Sequence, residues 1–519
     1  MSLDLGTTVC KAALFNIEGK LIDIATEEYP VISSHPGWAE QDTEIVWEKV
    51  VEVIGRIARK THADEVIQSI CISAQGEAVV FLDKKGNPLR HCILGMDMRS
   101  TEQTKRLKEE FSKEKLYHIS GVIPHPITTL AKILWVKDNQ PDIFKNVAQF
   151  LCYEDFIFSR LGGIAAIDYS LASRTMMFDI DEKKWCSWIL DYTEIKEEQL
   201  ARVYPSGKVV GKVSPGIAKK LGLSKEVKLV TGGHDVTCAA LGTGAIKEGI
   251  GANILGTAEI FGLTLEDRQE AQKLKTFNFA CYPHVLPEKY FLMSLNQTGG
   301  LLLKWFRDNF AEKEIEIAKK EARDAFELLV AKAKNKPADS MVLPHLVGSG
   351  TPWVNPLSKA AVIGLTLHTG KSDILKAVLE SVCFEQKINI EILEKYGFAT
   401  DEIRAVGGQA KSDKWLKIRA DILGKTIKTL KVSDASCLGG AILSSYALGY
   451  YPSIDEAAQV MVKVKSEIEP DKSFHKRYLE KYQIFKKVYP ALKEINYELS
   501  GILKNKGNET FSYNLYRKG

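Results

Sequence analysis

The sequence has no apolar run long enough to span a bilayer, and Asp4 interrupts its start before any basic-then-apolar leader could form. Its nine cysteines are odd in number, widely spread and form no Cys-x-x-Cys pair, which argues against a disulfide framework or a zinc site. The formal net charge of +4 is small for 519 residues, and no basic stripe indicates a nucleic-acid partner. These absences predict a soluble cytoplasmic protein with neither a membrane nor a nucleic acid as partner.

The composition is that of an ordinary globular protein, with 45% hydrophobic and 26% charged residues. A chain of this length exceeds one compact core, so we expect two or more domains. Glycines cluster over residues 242–251. We therefore predict one domain over residues 1–245, a second over 246–450, and C-terminal helices with a polar tail over 451–519. From about Glu467 the chain is rich in Lys, Glu and Tyr, which predicts a surface helix followed by the polar tail.

Apolar periodicity predicts a mixed α/β architecture. Strand-prone runs flank a turn at Gly6-Thr7-Thr8 and a second turn at Glu18-Gly19, which is typical of a β-meander. Further strands are predicted over 69–73, 79–83, 227–231 and 402–406, and helices over 43–62, 301–308, 315–333 and from Asp373, with Ser372 as its N-cap. The second half repeats the theme, because apolar runs again surround a turn at Gly256-Thr257.

The first motif is Asp4, followed by the turn Gly6-Thr7-Thr8. A glycine turn exposes backbone N–H groups, and two hydroxyls join them, so this segment can face a phosphate. A carboxylate at the strand end can help to hold Mg²⁺. The alternative is an ordinary hairpin turn.

The second motif places two glycines, His234 and Asp235 between a predicted strand and a predicted helix. Glycines let a ligand or another backbone approach closely. Asp235 would stand at the start of the helix, and the alternative is that it serves only as an N-cap.

The third motif is Gly407-Gly408-Gln409-Ala410, which follows a strand-like run and precedes a predicted helix. Paired glycines could let a flat nucleobase lie against the backbone. A tight connection between strand and helix is the alternative.

In this order and at these separations the motifs make the chain resemble the FGGY family of carbohydrate kinases, within the actin and hexokinase superfamily. The strongest local match runs from residues 360–365 through Asp373 to Glu380, and a second lies over residues 132–139. Other familiar pieces are Asp97–Arg99, Asp168–Ser170, Gly256–Glu259 and Gly439–Ala441. The resemblance extends from residue 1 to about residue 450.

The resemblance implies two ribonuclease-H-like domains with an active-site cleft between them. Asp235 would be the catalytic base that accepts the proton of the sugar hydroxyl, and Asp4 and Asp235 would organise Mg²⁺. The nucleotide would be contacted by Gly6, Thr7, Thr8, Lys11, Gly256, Thr257, Gly407, Gly408, Gln409 and Ala410. Sugar hydroxyls would be contacted by Gln75, Gly76, Glu77, Asp97, His234 and Asp235.

These assignments describe an ATP- and Mg²⁺-dependent kinase for a small sugar. The loops around Gln75-Gly76-Glu77 and His234-Asp235 are similar to those of the xylulose and L-fuculose kinase branches, so a ketose is the expected substrate. The alternatives are a kinase for gluconate, erythritol or glycerol, and a nucleotide-binding regulator that has lost catalysis. A homodimer would also be consistent with the resemblance.

Overall fold

The computed structural model describes residues 1–61 and 67–505. His62, which ends one predicted helix, and the tail beyond Asn505 lie outside these described residues. The strands are β1 (Ser2–Leu5), β2 (Val9–Phe15), β3 (Leu21–Glu28), β4 (Glu40–Gln41), β5 (Ser69–Ala74), β6 (Val80–Leu82), β7 (Cys92–Ile93), β8 (Gln149–Leu151), β9 (Ala166–Asp168), β10 (Phe178–Asp179), β11 (Lys184–Trp185), β12 (Arg202–Tyr204), β13 (Val209–Lys212), β14 (Lys228–His234), β15 (Gly249–Leu255), β16 (Glu259–Leu265), β17 (Ala280–Pro283), β18 (Tyr290–Asn296), β19 (Met341–Leu343), β20 (Ala361–Ile363), β21 (Thr400–Val406), β22 (Thr426–Leu430) and β23 (Val464–Ile468).

Helices surround these strands. They are α1 (Thr43–Thr61), α2 (Thr101–Phe111), α3 (Lys113–Ser120), α4 (Thr129–Asn139), α5 (Pro141–Asn146), α6 (Tyr153–Gly162), α7 (Tyr169–Arg174), α8 (Ser187–Thr193), α9 (Pro215–Leu221), α10 (Asp235–Thr243), α11 (Gly300–Phe310), α12 (Glu312–Glu321), α13 (Ala325–Lys332), α14 (Lys371–Lys395), α15 (Asp413–Leu423), α16 (Ala435–Ala447), α17 (Ile454–Met461) and α18 (Lys472–Asn505). Short 3₁₀ segments occur at Glu197–Gln199, Glu270–Phe277 and Gly408–Lys411. None of the helices in the described residues is both long and apolar enough to cross a membrane.

Two large sheets organise the molecule. The first has the order β13-β14-β5-β1-β2-β3, and the second has the order β17-β18-β16-β15-β21-β22-β23. We call the first sheet with its helices the first lobe, and the second sheet with its helices the second lobe. Each lobe has its own large apolar core, as the length of the chain predicts.

The two sheets share one five-stranded pattern. In the first lobe β1, β2 and β3 form an antiparallel meander, and β5 and then β14 add in parallel on the other side of β1. In the second lobe β15, β16 and β18 form the meander, and β21 and β22 add in parallel. The predicted α/β fold with two ribonuclease-H-like halves is therefore confirmed.

The lobes meet where α10 crosses α16, and the crossing requires glycine. A Cβ at Gly242 would lie 1.9 Å from the carbonyl oxygen of Ala435, and one at Gly439 would lie 2.0 Å from that of Cys238. Such distances are impossible for real side chains, so the glycines allow the two helix backbones to approach closely.

Three details of the predicted elements need correction. The helix predicted from Asp373 begins at Lys371, so its N-cap is Gly370 and not Ser372. The backbone N–H of Gly370 donates a hydrogen bond to the Asp373 carboxylate at 3.1 Å. The single helix predicted over 315–333 is two helices, since Ala322 adopts φ 51° and Asp324 caps a new helix start. The C-terminal helix is more than a surface element, because its residues Tyr478, Tyr482 and Phe485 are buried in the second core.

Candidate active site

The candidate site lies where three neighbouring strands of the first sheet end. β1 and β5 are parallel, with Leu5 opposite Ala74, and β14 is parallel to β5, with His234 opposite Ala74. The next residues along the chain therefore emerge together at one edge. Ligands of open α/β sheets bind at this carboxyl edge, and Gly6, Gln75 and Asp235 are the residues that follow these strand ends.

Glycine brings β14 to this edge. The strand predicted over 227–231 continues to His234. Only glycine fits at position 232 of this strand, because a Cβ there would lie 1.9 Å from the carbonyl oxygen of Ile72 on β5. Gly233 has φ 152°, in the region that disfavours other residues. The two glycines thus extend the strand and deliver His234 and Asp235 to the edge of the sheet.

Asp235 is the first residue of α10, as predicted. The cap residue is His234, whose side chain makes no capping hydrogen bond. Burial raises the pKa of Asp235 to about 8, and the negative charge of Asp4 adds to the shift. The side chain is still 31% exposed and lies 3.3 Å from His234 Nε2. A carboxylate that is desolvated yet reachable is typical of catalytic acids and bases.

Asp4 lies half-buried on β1 and accepts a hydrogen bond from Ser73 Oγ at 3.2 Å. Burial raises its pKa to about 6, against the opposing effects of Lys11 and of Ser73. The charge of Asp4 raises the pKa of Asp235, and an opposite charge such as a cation beside two such carboxylates favours their ionised forms. Asp4 and Asp235 thus form an acidic pair at the end of the sheet.

These aspartates fit the Mg²⁺ that the resemblance implies. In the described residues no group of three or more acidic, histidine or cysteine side chains forms a self-sufficient metal cage. Mg²⁺ usually needs no such cage, since one or two carboxylates, waters and substrate phosphates complete its coordination. Asp4 and Asp235 would be the protein ligands, and the ion would neutralise charge on the phosphates.

The loop after β5 is held in a strained shape. Glu77 has φ 61°, which is uncommon for a residue other than glycine. Its carbonyl oxygen accepts hydrogen bonds from Thr129 Oγ1 and Lys132 Nζ, both at 3.0 Å. Gln75 donates to the carbonyl of Gly6 at 3.1 Å, so this loop is tied to the first turn. Strain that surrounding contacts impose is often found at functional sites.

Asp97 is placed differently from the other predicted sugar contacts. It is fully buried, and its oxygens accept hydrogen bonds from the backbone N–H of Ala39 at 2.6 Å and from Arg99 at 2.8 and 2.9 Å. The Arg99 guanidinium stacks on Trp38, 3.8 Å from the ring centre. In the structure Asp97 connects the backbone at Ala39 to the Arg99 side chain. Direct contact between Asp97 and a sugar stays a prediction.

The second lobe presents two matching loops. Gly256 and Thr257 are exposed in the turn between β15 and β16, and the start of α11 packs against this turn. Gly408 follows β21, is exposed, and has open space around the position of a Cβ. Gln409 is buried and donates to the carbonyl of Gly256 at 3.0 Å, so the two loops are held together.

A buried network fixes Gln409. Arg419 on α15 donates to the Gln409 side-chain oxygen at 3.3 Å, and it also contacts Glu259 and Gln386. Arg419 and Glu259 are each 1% exposed as side chains. A fully enclosed charge pair of this kind rigidifies its neighbours, and Ala410 continues the same loop into the 3₁₀ segment.

Lys11 connects the lobes. Its Nζ lies 2.6 Å from Asp434, the residue that precedes α16. Lys11 is opposite Asp4 across β1 and β2. The predicted phosphate contact of the first lobe therefore stands at the border with the second lobe.

Two functional candidates were missed by the sequence analysis. Arg174 is a buried residue that forms an ion pair with Glu77, and Tyr282 from the second lobe lies 2.9 Å from His234 Nδ1. Arg174 is the only charged residue in the run 171–178, which was an available signal for the first. Tyr282 offered no signal, since strand alternation does not reveal contacts between lobes.

Family profiles match both halves of the chain. The profile "FGGY family of carbohydrate kinases, N-terminal domain" matches residues 1–242, and the profile for the C-terminal domain of the same family matches residues 251–448. The chain belongs to the FGGY family of carbohydrate kinases. It is therefore a phosphotransferase enzyme, as predicted, and the resemblance that the motifs indicated is confirmed.

Several named relatives match nearly the whole chain. The xylulose kinase of Staphylococcus epidermidis is 28% identical over 506 residues, 96% of this chain and 98% of the relative. The gluconokinase of Bacillus subtilis is 30% identical over 467 residues, 89% of this chain and 90% of the relative. The crystal structure of a ligand-bound xylulose kinase from Lactobacillus acidophilus superposes with a TM-score of 0.85 at 23% identity, covering 95% of this chain and 99% of that one. The last likeness concerns the fold alone.

Proposed function

We propose that this FGGY kinase transfers the γ-phosphoryl group of Mg-ATP to a hydroxyl of a small ketose, with xylulose and L-fuculose as the first candidates. Asp235 is the general base in this proposal. The observation that carries it is the placement of Asp235 at the start of α10, reachable from solvent, with a pKa raised by burial and by Asp4.

The chemistry needs one proton acceptor and good positioning. The sugar hydroxyl oxygen bonds to the γ-phosphorus while the bond from that phosphorus to the β–γ bridging oxygen breaks, and ADP leaves. Asp235, in its ionised form, takes the hydroxyl proton. A pKa above that of a free aspartate makes the ionised carboxylate a stronger base, and charge neutralisation provides most of the remaining catalysis.

The other proposed contacts follow from the two strand edges. His234 lies beside Asp235. The two would bind the sugar together with Gln75, Gly76, Glu77 and Asp97. The turns Gly6–Thr8 and Gly256–Thr257 would face the phosphates, with Lys11. Gly407, Gly408, Gln409 and Ala410 would contact the adenosine, because this loop is open at Gly408 and fixed at Gln409.

The division into domains at residues 245 and 450 is part of the proposal. The boundary near 245 falls between α10 and β15, where one sheet pattern ends and the other begins. Residues 451–505 comprise α17, which packs at the border between the lobes, β23, which ends the second sheet, and α18, which packs on the second core. Gluconate remains the leading alternative substrate, since one named relative is a gluconokinase.

The test is ADP release from Mg-ATP in the presence of a panel of ketoses, polyols and sugar acids. A ketose that stimulates ADP release well above the sugar-free rate is the expected result. Preferential stimulation by gluconate, erythritol or glycerol would replace the proposed substrate. ATP binding without stimulation by any sugar would instead favour the regulator.

A further inference from the structure

Arg174 has one donor without a partner. It lies at the end of α7 and is 5% exposed. Its Nε donates to Glu77 Oε1 at 2.6 Å, and Nη2 donates to the same oxygen. Among the described residues, buried Nη1 has no hydrogen-bond partner. Because an unpaired buried donor is costly, the structure points to a ligand oxygen at this position.

This donor belongs to the proposed sugar site. A Cβ built on Gly76 would lie 3.0 Å from His234 Nε2 and 3.5 Å from Arg174 Cγ, so the bare backbone of Gly76 borders both side chains. His234 Nε2 is in turn 3.3 Å from Asp235. The Arg174 guanidinium also lies 5.1 Å from the centre of the Tyr282 ring. Gly76 and His234 therefore lie between Arg174 and the proposed base.

We infer that Arg174 and Glu77 together recognise two adjacent hydroxyls of the substrate and that this pair selects neutral sugars against sugar acids. In this arrangement Arg174 Nη1 donates to one sugar oxygen, and the Glu77 carboxylate accepts from a neighbouring hydroxyl. The inference rests on the proposed function, and it assigns a specificity role to Arg174 beyond that function.

The selectivity follows from donors, acceptors and charge. A hydroxyl can both donate and accept, whereas a carboxylate can only accept. Two adjacent hydroxyls satisfy both members of the pair, but a sugar carboxylate would leave Glu77 without a donor. It would also bring like charge against Glu77 in a desolvated site, and Glu77 already neutralises the positive charge of Arg174. Sites that hydrogen-bond a substrate hydroxyl discriminate strongly in this way.

A purely structural ion pair makes a different prediction. If Arg174 only stabilised the fold, its replacement would lower thermal stability but leave the KM for sugar and the order of substrate preference unchanged. The substrate preference is therefore the decisive readout.

The experiment compares Arg174→Lys and Glu77→Gln with the full-length wild type, using ADP release and the same panel of neutral sugars and aldonic acids. Arg174→Lys keeps the charge but loses the forked donor geometry, so the KM for the sugar should rise at least about tenfold while the KM for ATP stays the same. Glu77→Gln should narrow the kcat/KM preference for neutral sugars over acids at least about tenfold. The matched control is Arg160→Gln, since Arg160 pairs with Glu44 at the outer surface of the first lobe and should change neither quantity.

Folding is checked by the ATP-induced rise in melting temperature. If Arg174→Lys shows no such rise, the double variant Glu77→Gln/Arg174→Gln is measured in its place, because it removes both charges of the pair together. The KM of this double variant for the sugar should rise by the same factor. An unchanged KM and preference in a folded variant would overturn the inference while leaving the kinase intact. A wild type that prefers a sugar acid to neutral sugars would also overturn the inference and leave the kinase assignment intact. A wild type that no sugar stimulates would overturn the proposed function and this inference together.

Discussion

The two lobes are built on the same five-stranded pattern, yet they carry different chemical groups at equivalent positions. The turn Gly6-Thr7 after β1 corresponds to Gly256-Thr257 after β15, since each joins the first two strands of a meander. Two residues before these glycines the first lobe has Asp4 and the second has Ile254. One scaffold thus presents a carboxylate, and the other an apolar side chain.

A second pair of equivalent positions has an aspartate in each lobe, but in different surroundings. Asp235 begins α10 after the last parallel strand of the first lobe, and Asp434 precedes α16 after the last parallel strand of the second. Asp235 has a pKa raised by burial, whereas Asp434 is neutralised by Lys11. The comparison indicates that a duplicated fold can separate its tasks by changing a few charged residues. In the proposed function, the first lobe performs the chemistry and the second binds the nucleotide.

The largest expected effect is a loss of kcat when Asp4 is replaced, with no change when its counterpart Ile254 is replaced. Asp4→Asn keeps the shape but removes the charge, so kcat should fall about 100-fold, the scale of a lost electrostatic contact to a reacting group. The Mg²⁺ concentration needed for half-maximal activity should rise as well. Both quantities are measured by ADP release at varied Mg²⁺. The matched change Ile254→Val should leave them unaltered, and an unchanged kcat in Asp4→Asn would remove Asp4 from the metal site.

The next effect concerns the contact that holds the lobes together. Gly439→Ala should lower the free energy of unfolding by about 2 kcal/mol, because the new Cβ meets the Cys238 carbonyl at 2.0 Å. Gly216→Ala on α9 has nothing within 4 Å of its new Cβ and is the control. Denaturant unfolding measures both. Equal stability of the two variants would show that α10 and α16 do not pack as described.

A smaller effect should be confined to the second lobe. Gly408→Val places a side chain in open space, so the fold should be unaffected, but the side chain would occupy the proposed adenosine surface. We expect about a tenfold weaker affinity for ATP, equal to about 1.4 kcal/mol, with no change in the KM for sugar. Calorimetric titration with ATP measures the affinity, with Gly216→Val as the control. Normal ATP affinity would place the adenosine elsewhere.

The smallest effect is expected at the ion pair between the lobes. Lys11 and Asp434 keep 33% and 22% of their side-chain surface exposed, so solvent screens their attraction. Asp434→Asn should lower the free energy of unfolding by less than about 1 kcal/mol, and added salt should reduce the difference. Melting temperatures at low and high salt measure it. A large, salt-independent loss would mean that this pair is a principal connection between the lobes.

Much of this comparison could be predicted from the sequence. The turn glycines, the strand before Asp235 and the loop at Gly407-Gly408 gave local signals that depend only on neighbouring residues. The doubled architecture followed because those signals recur in the same order in both halves. The confirmed fold and the confirmed family rest on such local patterns.

Contacts distant in sequence could not be predicted in the same way. Arg174 meets Glu77 across 97 residues, and Tyr282 meets His234 across 48. Only the folded arrangement of strands and lobes brings these groups together, and neither spacing nor periodicity encodes it. The break between α12 and α13 was missed for another reason, since apolar periodicity continues through it while Ala322 adopts a left-handed conformation.

The central claim is that, of the two equivalent aspartates, Asp235 carries the transfer. The most direct test is the yield of sugar phosphate, followed by ³¹P NMR, from wild type, Asp235→Ala and Asp434→Ala incubated with Mg-ATP and the active sugar. The account predicts that Asp235→Ala forms product at least about 100-fold more slowly while still binding ATP, and that Asp434→Ala stays within about tenfold of the wild type. A near-normal rate in Asp235→Ala would contradict the account.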